Sequence, residues 1–196
     1  SLRGSIRIQT WDRREIKVLA EIYSSSVSVD ASKLDEIITI KLRRRGRAAA
    51  EVVNFDFLVP PECAAEVSTI GGDITIEHVR GQLKVFTTDG NITLTGVSCQ
   101  KIEAISCISG NIRLSGELVP QGRYSFYSGG GFIDVDLPES VSFTLYAATH
   151  HGRIDSEGFR FSSESRTPSH LEGVWGTGSS LLKLRTHSGS IRLRKR

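Results

Sequence analysis

The chain has 196 residues, a formal net charge of +3, 38% hydrophobic side chains and 7% aromatic ones. That composition suits a folded chain and excludes a disordered one, and no apolar run approaches the roughly 18 residues of a membrane helix. Basic residues gather at Lys41–Arg47 and Arg192–Arg196 without interleaved aromatics, so they read as solvated strand ends or a contact for an anionic polymer, with no nucleic acid as partner.

Methionine is absent and the chain opens Ser1-Leu2, which is expected of a mature or excised segment whose start, targeting signal or anchor lies elsewhere. The first sixty residues alternate in the manner of strands: Ser5–Thr10, Glu15–Ile22, Glu36–Leu42 and Glu51–Val59, the last closed by Pro60-Pro61. The Ser-rich stretch Ser24–Lys33 is expected to be a loop, and Arg43–Ala50 a hairpin connection. Cys63, Cys99 and Cys107 are too few and too irregular for a disulfide framework or a zinc site.

From Gly72 a repeat takes over. Gly72-Asp73-Ile74-Thr75-Ile76, Gly90-Asn91-Ile92-Thr93-Leu94, Gly110-Asn111-Ile112-Arg113-Leu114, Gly131-Phe132-Ile133-Asp134-Val135, Gly152-Arg153-Ile154-Asp155 and Gly189-Ser190-Ile191-Arg192-Leu193 share one pattern, with a weak copy at Gly4-Ser5-Ile6. The glycine steps are 18, 20, 21, 21 and 37 residues, periods typical of stacked architectures. Aliphatics stand seven and five residues before most glycines and two and four after, so each repeat is two short strands meeting at a glycine corner. Stacking in parallel at about 4.8 Å per coil buries a continuous aliphatic core, and about eight coils would make a rod of about 40 Å.

The expectation is an all-β, parallel β-solenoid of about 18–21-residue repeats with an antiparallel N-terminal cap, in a single domain. Residues 1–61 form the cap and first coils, 62–156 the regular repeats, 157–180 an inserted loop or hairpin, and 181–196 the last coil. Glu103 falls where an aliphatic belongs, so Lys101–Ser106 is expected to bulge.

Columns of a stack can be read like a site. Three before the glycine stand Thr69, Thr87, Cys107, Ser128, Thr149 and Thr186, an inward ladder whose hydroxyls satisfy turn backbone, with Cys107 as an isostere. Three after it stand Thr75, Thr93, Arg113, Asp134, Asp155 and Arg192, facing out. With coils adjacent in sequence order, Asp134 lies beside Arg113 and Asp155, as an ion-pair ladder or, with Asp136, as an acidic cluster holding Ca²⁺ or acting on a glycan. Trp175 in the 157–180 excursion either packs it down or faces a ligand. His150 and His187 share one offset, beside His151, and pair only if their coils are neighbours; no metal site is expected of them. No P-loop, nucleophile elbow or zincin helix is present, so no catalytic residue and no cofactor is assigned.

The order of Gly4-Ser5-Ile6-Arg7-Ile8, Trp11-Asp12-Arg13, Ile16-Lys17-Val18, Val59-Pro60, Gly71-Gly72-Asp73-Ile74, Ile133–Pro138 and Leu184–Arg192 resembles the bacterial Toastrack or "putative adhesin" domains, related to the head GIN domains. The resemblance implies a β-solenoid outside the cytoplasm, in periplasm or at the cell surface, tethered by a membrane segment outside these residues. It implies a non-catalytic module for adhesion-like contact or envelope-stress sensing, with a protein or envelope polymer as partner. The alternative function is a carbohydrate-active β-helix using the acidic outer face of Asp134, Asp136 and Asp155, and a third reading is self-association through open solenoid ends.

Overall fold

The computed structural model describes residues 2–23, 26–44 and 51–196. Among these residues 65% lie in strands and none in a helix. The strands of the N-terminal part are β1 (Leu2–Arg3), β2 (Ile6–Thr10), β3 (Lys17–Ile22), β4 (Val27–Leu34), β5 (Ile37–Arg44) and β6 (Glu51–Val59). The repeats follow as β7 (Ala65–Gly71) and β8 (Ile74–Glu77), β9 (Leu83–Asp89) and β10 (Ile92–Val97), β11 (Lys101–Ser109) and β12 (Ile112–Gly116), and β13 (Arg123–Ser128) and β14 (Ile133–Leu137). Then come β15 (Phe143–Thr149) and β16 (Ile154–Glu157), the hairpin β17 (Ser162–Thr167) and β18 (His170–Trp175), and the last pair β19 (Ser180–Thr186) and β20 (Ile191–Lys195).

The first strand of each repeat joins one parallel sheet, sheet 1, and the second joins sheet 2. In sheet 2, Ile6, Ile74, Ile92, Ile112, Ile133, Ile191 and Ile154 stand in register on successive strands. Opposite them sheet 1 supplies Val67, Val85, Ala104, Phe126, Leu184 and Ala147. Ile74, Ile92, Ile112 and Ile133 are fully buried, so the isoleucine after each corner glycine forms the spine of the core, where area removed from water stabilises at about 25 cal/mol per Å².

The corner glycines serve two demands. Gly90 has φ +158 and Gly110 φ +137, a region glycine enters without steric cost. The second demand is closeness. A Cβ on Gly90 would lie 2.1 Å from the Gly72 carbonyl oxygen, and one on Gly131, whose φ is unexceptional, 2.1 Å from the Gly110 oxygen. The inner hydroxyl ladder is built on the same carbonyls. Ser128 Oγ donates to Gly110 O (2.8 Å), Thr186 Oγ1 to Gly131 O (2.9 Å) and Thr149 Oγ1 to Gly189 O (2.7 Å). Outside each corner, Asn91 donates its backbone N–H to Asp73 Oδ1 (2.8 Å) and Asn111 does the same to Asn91 Oδ1 (2.9 Å).

These bonds also reveal the order of the stack, which differs from the order of the sequence. The final coil is not at the end: β19 lies between β13 and β15, and β20 between β14 and β16. The chain leaves a one-coil gap after β14, builds β15–β16, and returns to fill the gap. The 157–180 excursion makes the return. β18 pairs antiparallel with the far edge of β15 and β17 covers β18, leaving only the inner edge of β15 for β19. Phe159 and Phe161 pack edge-on against Phe143, and Phe159 against Trp175 (5.1 Å between centroids). Ser142 pins the return loop, its hydroxyl accepting from the Thr177 N–H (2.8 Å) and the Ser179 N–H (3.2 Å).

Three local expectations are corrected. Most of Ser24–Lys33 is not loop, because Val27–Leu34 is strand β4; its Ser and Asp residues alternate with Val27 and Val29, which pack toward Val53 and Phe55. β4 pairs antiparallel with β5, turning at Asp35-Glu36; of the expected hairpin connection Arg43–Ala50, residues 45–50 lie outside the described residues. The bulge lies after Lys101–Ser106, between Ser106 and Ser109. It moves Ser106 into the inner ladder, where its Oγ donates to Gly90 O (3.1 Å), and turns Cys107 outward. Cys107 is therefore no isostere of the ladder, and Glu103 simply faces out.

The cap is held to the first coil by polar bonds as well. Glu77 accepts from Gln9 Nε2 (2.7 Å) and Arg7 Nη2 (3.1 Å). The Gln9 hydrogen bond holds its carboxyl below its ordinary 4.5, against the opposing effect of burial, with Arg7 lowering it further. A carboxylate with a lowered folded pKa stabilises fully above its unfolded value and loses that contribution as pH falls through the folded one. Melting temperature should therefore fall more between about pH 5 and pH 3 in the native chain than in Glu77→Gln; parallel pH curves would show that Glu77 is not linked to folding.

Candidate functional surfaces

The sequence-level candidates are placed by the stack order. In sheet 2 the outward row after the corner isoleucine reads Arg113, Asp134, Arg192, Asp155. Because β20 intervenes, Asp134 and Asp155 are not neighbours. Asp134, 8% exposed, sits between Arg113 Nε (4.0 Å) and Arg192 Nη1 (3.9 Å). Asp155 stands across from Arg192 on the other side. The next row repeats the alternation: Asp136 accepts from Arg194 Nε (2.8 Å) and Nη2 (3.4 Å), and Glu157 lies beyond Arg194. The structure thus sets arginines against Asp134 and Asp136, places Arg192 between Asp134 and Asp155, and among the described residues assembles no acidic cluster from them. The arginines are solvent-exposed, and pairs screened in this way contribute little each. Each of these strands carries one sign of charge, so what the alternation opposes is β14 lying beside β16, which would set like charges side by side.

Trp175 belongs to the aromatic packing of the far end, with Lys195 Nζ 5.7 Å from its ring centroid. The histidines do meet, since β15 and β19 are neighbours: His150 stacks on His187 (5.0 Å) with His151 edge-on to both. Among the described residues no group of three or more His, Cys, Asp or Glu is placed to hold a metal ion. Cys99 and Tyr124 are core residues. Burial pushes the Cys99 thiol up to about 12 and the Tyr124 phenol up to about 12, and Tyr124 donates to the Cys99 carbonyl oxygen (2.7 Å) while accepting from the Val119 N–H (2.8 Å).

The surface that column reading missed lies on the outside of sheet 1. There Ser68, Phe86, Ile105, Tyr127, Arg185 and Ala148 stand in register across six strands. Phe86, Ile105 and Tyr127 make a continuous apolar and aromatic stripe, bounded by the Arg185 guanidinium. Tyr146 is 41% exposed and stands in the parallel row with Lys183. Five of these six residues fall four positions before a corner glycine. Only Ile105 is displaced, by the bulge at Cys107, and that shift broke the column in a glycine-based alignment. A flat, rigid stripe of this kind can stack against sugar rings or peptide side chains while the flanking cations and hydroxyls hold polar groups.

A two-sheet parallel solenoid with glycine corners, a continuous aliphatic core and patterned outer faces defines a repeat-built all-strand domain. A family model, Toastrack DUF4097, matches residues 63–194, and the chain belongs to that family. Among solved structures its fold is similar to that of a "putative cell adhesion protein" from Clostridium sporogenes ATCC 15579, with a TM-score of 0.57 and 12% identity over 100% of this chain and 90% of the other. At that identity the likeness is one of fold. No curated protein matches the chain.

Proposed function

We propose that this chain is a non-catalytic, adhesion-like recognition module working outside the cytoplasm, and that its contact surface is the outer face of sheet 1. The stripe of Phe86, Ile105 and Tyr127 beside Arg185 carries the reading. These side chains stand in register on the outer face of sheet 1, away from the core on its inner face. Such a platform suits an extended envelope polymer or a flat protein surface, with the aromatics contributing most of the affinity. Toastrack membership supports the reading, as does the adhesion protein that shares the fold. Asp134 and Asp136 lie in a ladder of alternating charge against Arg113, Arg192 and Arg194, which favours a structural place for them over a pair of carboxyls flanking a bound glycan.

The test is retention of the labelled chain on bacterial envelope fractions. Phe86→Ala combined with Tyr127→Ala is expected to weaken retention at least tenfold, as loss of hot-spot aromatics does, while the melting temperature stays close to that of the native chain. Unchanged retention would remove this face from the account.

A further inference from the structure

The two sheets treat their outward cations differently. On the last strand of sheet 2 each is taken by a carboxylate: Arg192 stands 3.9 Å from Asp134, Arg194 2.8 Å from Asp136 and Lys195 2.8 Å from Glu139. On sheet 1, Lys101, Arg123, Lys183 and Arg185 are exposed and make no ion pair among the described residues. The out-of-order return of the last coil decides where they stand. β19 enters between β13 and β15, so Arg185 comes beside Tyr127 on one side and Lys183 beside Tyr146 on the other. Lys101 and Arg123 stand side by side on β11 and β13. Tyr127 is 38% and Tyr146 41% exposed, and neither phenol bonds to another described residue. Two strands and two residues separate them, about 12 Å at standard spacings. In the row of Lys183 the first carboxylates are two strands away on either side, Glu103 and Glu172, the latter 3.0 Å from His170.

We propose that this face binds an acidic glycan, a chain of sugar rings bearing carboxylate or phosphate groups, which lies across β13, β19 and β15. The inference rests on the recognition reading and narrows its partner. Each tyrosine stands next to a cation, so one ring of the ligand stacks on a phenol while its anionic group meets the neighbouring guanidinium or ammonium. The planar fork of Arg185 matches a carboxylate or phosphate with two parallel hydrogen bonds, and Lys183 supplies a point charge beside Tyr146. The phenol hydroxyls, unpartnered in the protein, are left to bond sugar hydroxyls. Charge complementarity excludes a neutral glycan as the best ligand, because four unpaired cations on one open face favour an anion. A protein partner fits less well. The desolvated centre of a protein interface is depleted of charge, and lysine above all is rare there, whereas a hydrated sugar chain leaves these ammonium groups in water. The cationic segment Arg192–Lys195, an anion contact by composition alone, is already neutralised by the carboxylates of sheet 2 and the adjoining Glu139.

The experiment follows binding of fluorescently labelled oligogalacturonate, which carries carboxylates, and phosphomannan oligosaccharide, which carries phosphates, to residues 1–196 by anisotropy. Saturable binding of at least one is expected, and which one binds identifies the anionic group. Lys183→Gln/Arg185→Gln should weaken it roughly tenfold, the size expected when two charge-assisted contacts are lost from a solvated face. Tyr146→Ala should weaken it about fivefold through loss of a stacking ring. Arg192→Gln/Arg194→Gln removes the same charge from sheet 2 and should bind as the native chain does. Melting temperatures confirm that each variant is folded. No binding of either glycan up to about 1 mM, or equal weakening in the sheet 2 variant, overturns the proposal. So does equally tight binding of a neutral maltooligosaccharide, of polyglutamate or of a thymidine oligonucleotide, since each lacks either the charge or the sugar rings the face is said to read together. If Phe86→Ala/Tyr127→Ala loses envelope retention and neither acidic glycan binds, this inference falls and the recognition reading stands. Retention unchanged in that variant removes the reading and the inference with it.

Discussion

Ile112→Asp should abolish the cooperative unfolding transition. Ile112 is fully buried and stands in register between Ile92 and Ile133, in the middle of the isoleucine spine. Replacement removes about 2–3 kcal/mol of apolar burial and puts a carboxylate where no cation can reach it, at a further cost of several kcal/mol. Domains of this kind are stable by about 5–15 kcal/mol in total, so the substitution consumes most or all of that margin. Thr93→Asp supplies the control. Thr93 is one residue on from Ile92 and faces out, with Thr75 and Arg113 as cross-strand neighbours. An aspartate there loses some strand preference and gains a nearby guanidinium, for a net change within about 1 kcal/mol. Thermal unfolding followed by circular dichroism separates the two; equal damage would contradict the assignment of inside and outside.

Gly131→Ala should be a strongly damaging single-methyl change outside the core, and one that tests closeness apart from backbone conformation. Its Cβ would meet the Gly110 carbonyl oxygen at 2.1 Å and the Gly110 carbonyl carbon at 2.4 Å. Both are backbone atoms held by the ladder, so no side chain can rotate away. Overpacking costs about 1–3 kcal/mol where a core can adjust, and this corner belongs at or above the upper end. For a domain near this size, about 3 kcal/mol corresponds to a loss of about 6–12 °C in melting temperature. Gly130→Ala is the matched comparison, since the unfolded chain loses the same freedom in both. At Gly130 the nearest atom, the Ile108 carbonyl oxygen, lies 3.0 Å away and the next 3.7 Å, so the expected loss is about 1 kcal/mol or less. Similar melting temperatures for the two variants would mean that corner glycines are required for backbone conformation alone.

Much of this was legible in the sequence because a solenoid writes its fold once per turn. Alternation about each glycine placed Ile74, Ile92, Ile112, Ile133 and Ile191 inside and Thr93, Arg113 and Arg192 outside, and the structure agrees at each. The hydroxyl ladder was legible for Thr87, Ser128, Thr149 and Thr186 in the same way. What could not be read was the order of the coils. A repeat specifies how a coil packs on any neighbour, not which neighbour it takes, and the β14, β20 and β16 corners are nearly interchangeable in pattern. Stack order is decided by the 157–180 hairpin, which covers one edge of β15 and leaves the other to β19. The acidic cluster rested on sequence order, so it came apart into a charge ladder once β20 intervened. Bulges hide columns for a related reason: one extra residue between Ser106 and Ser109 shifted Ile105 out of line with Phe86 and Tyr127 when the glycines are aligned, and the outer stripe went unseen. At β4, Ser and Asp on the solvent side of a half-buried strand imitate loop composition.

The recognition account is tested most directly by the envelope-retention assay with two double variants side by side. Phe86→Ala/Tyr127→Ala alters the outer stripe of sheet 1, and Asp134→Asn/Asp155→Asn alters the charge ladder of sheet 2. The account predicts at least tenfold weaker retention for the first and near-native retention for the second, with both folded. Retention lost in the aspartate variant and kept in the aromatic one would contradict it.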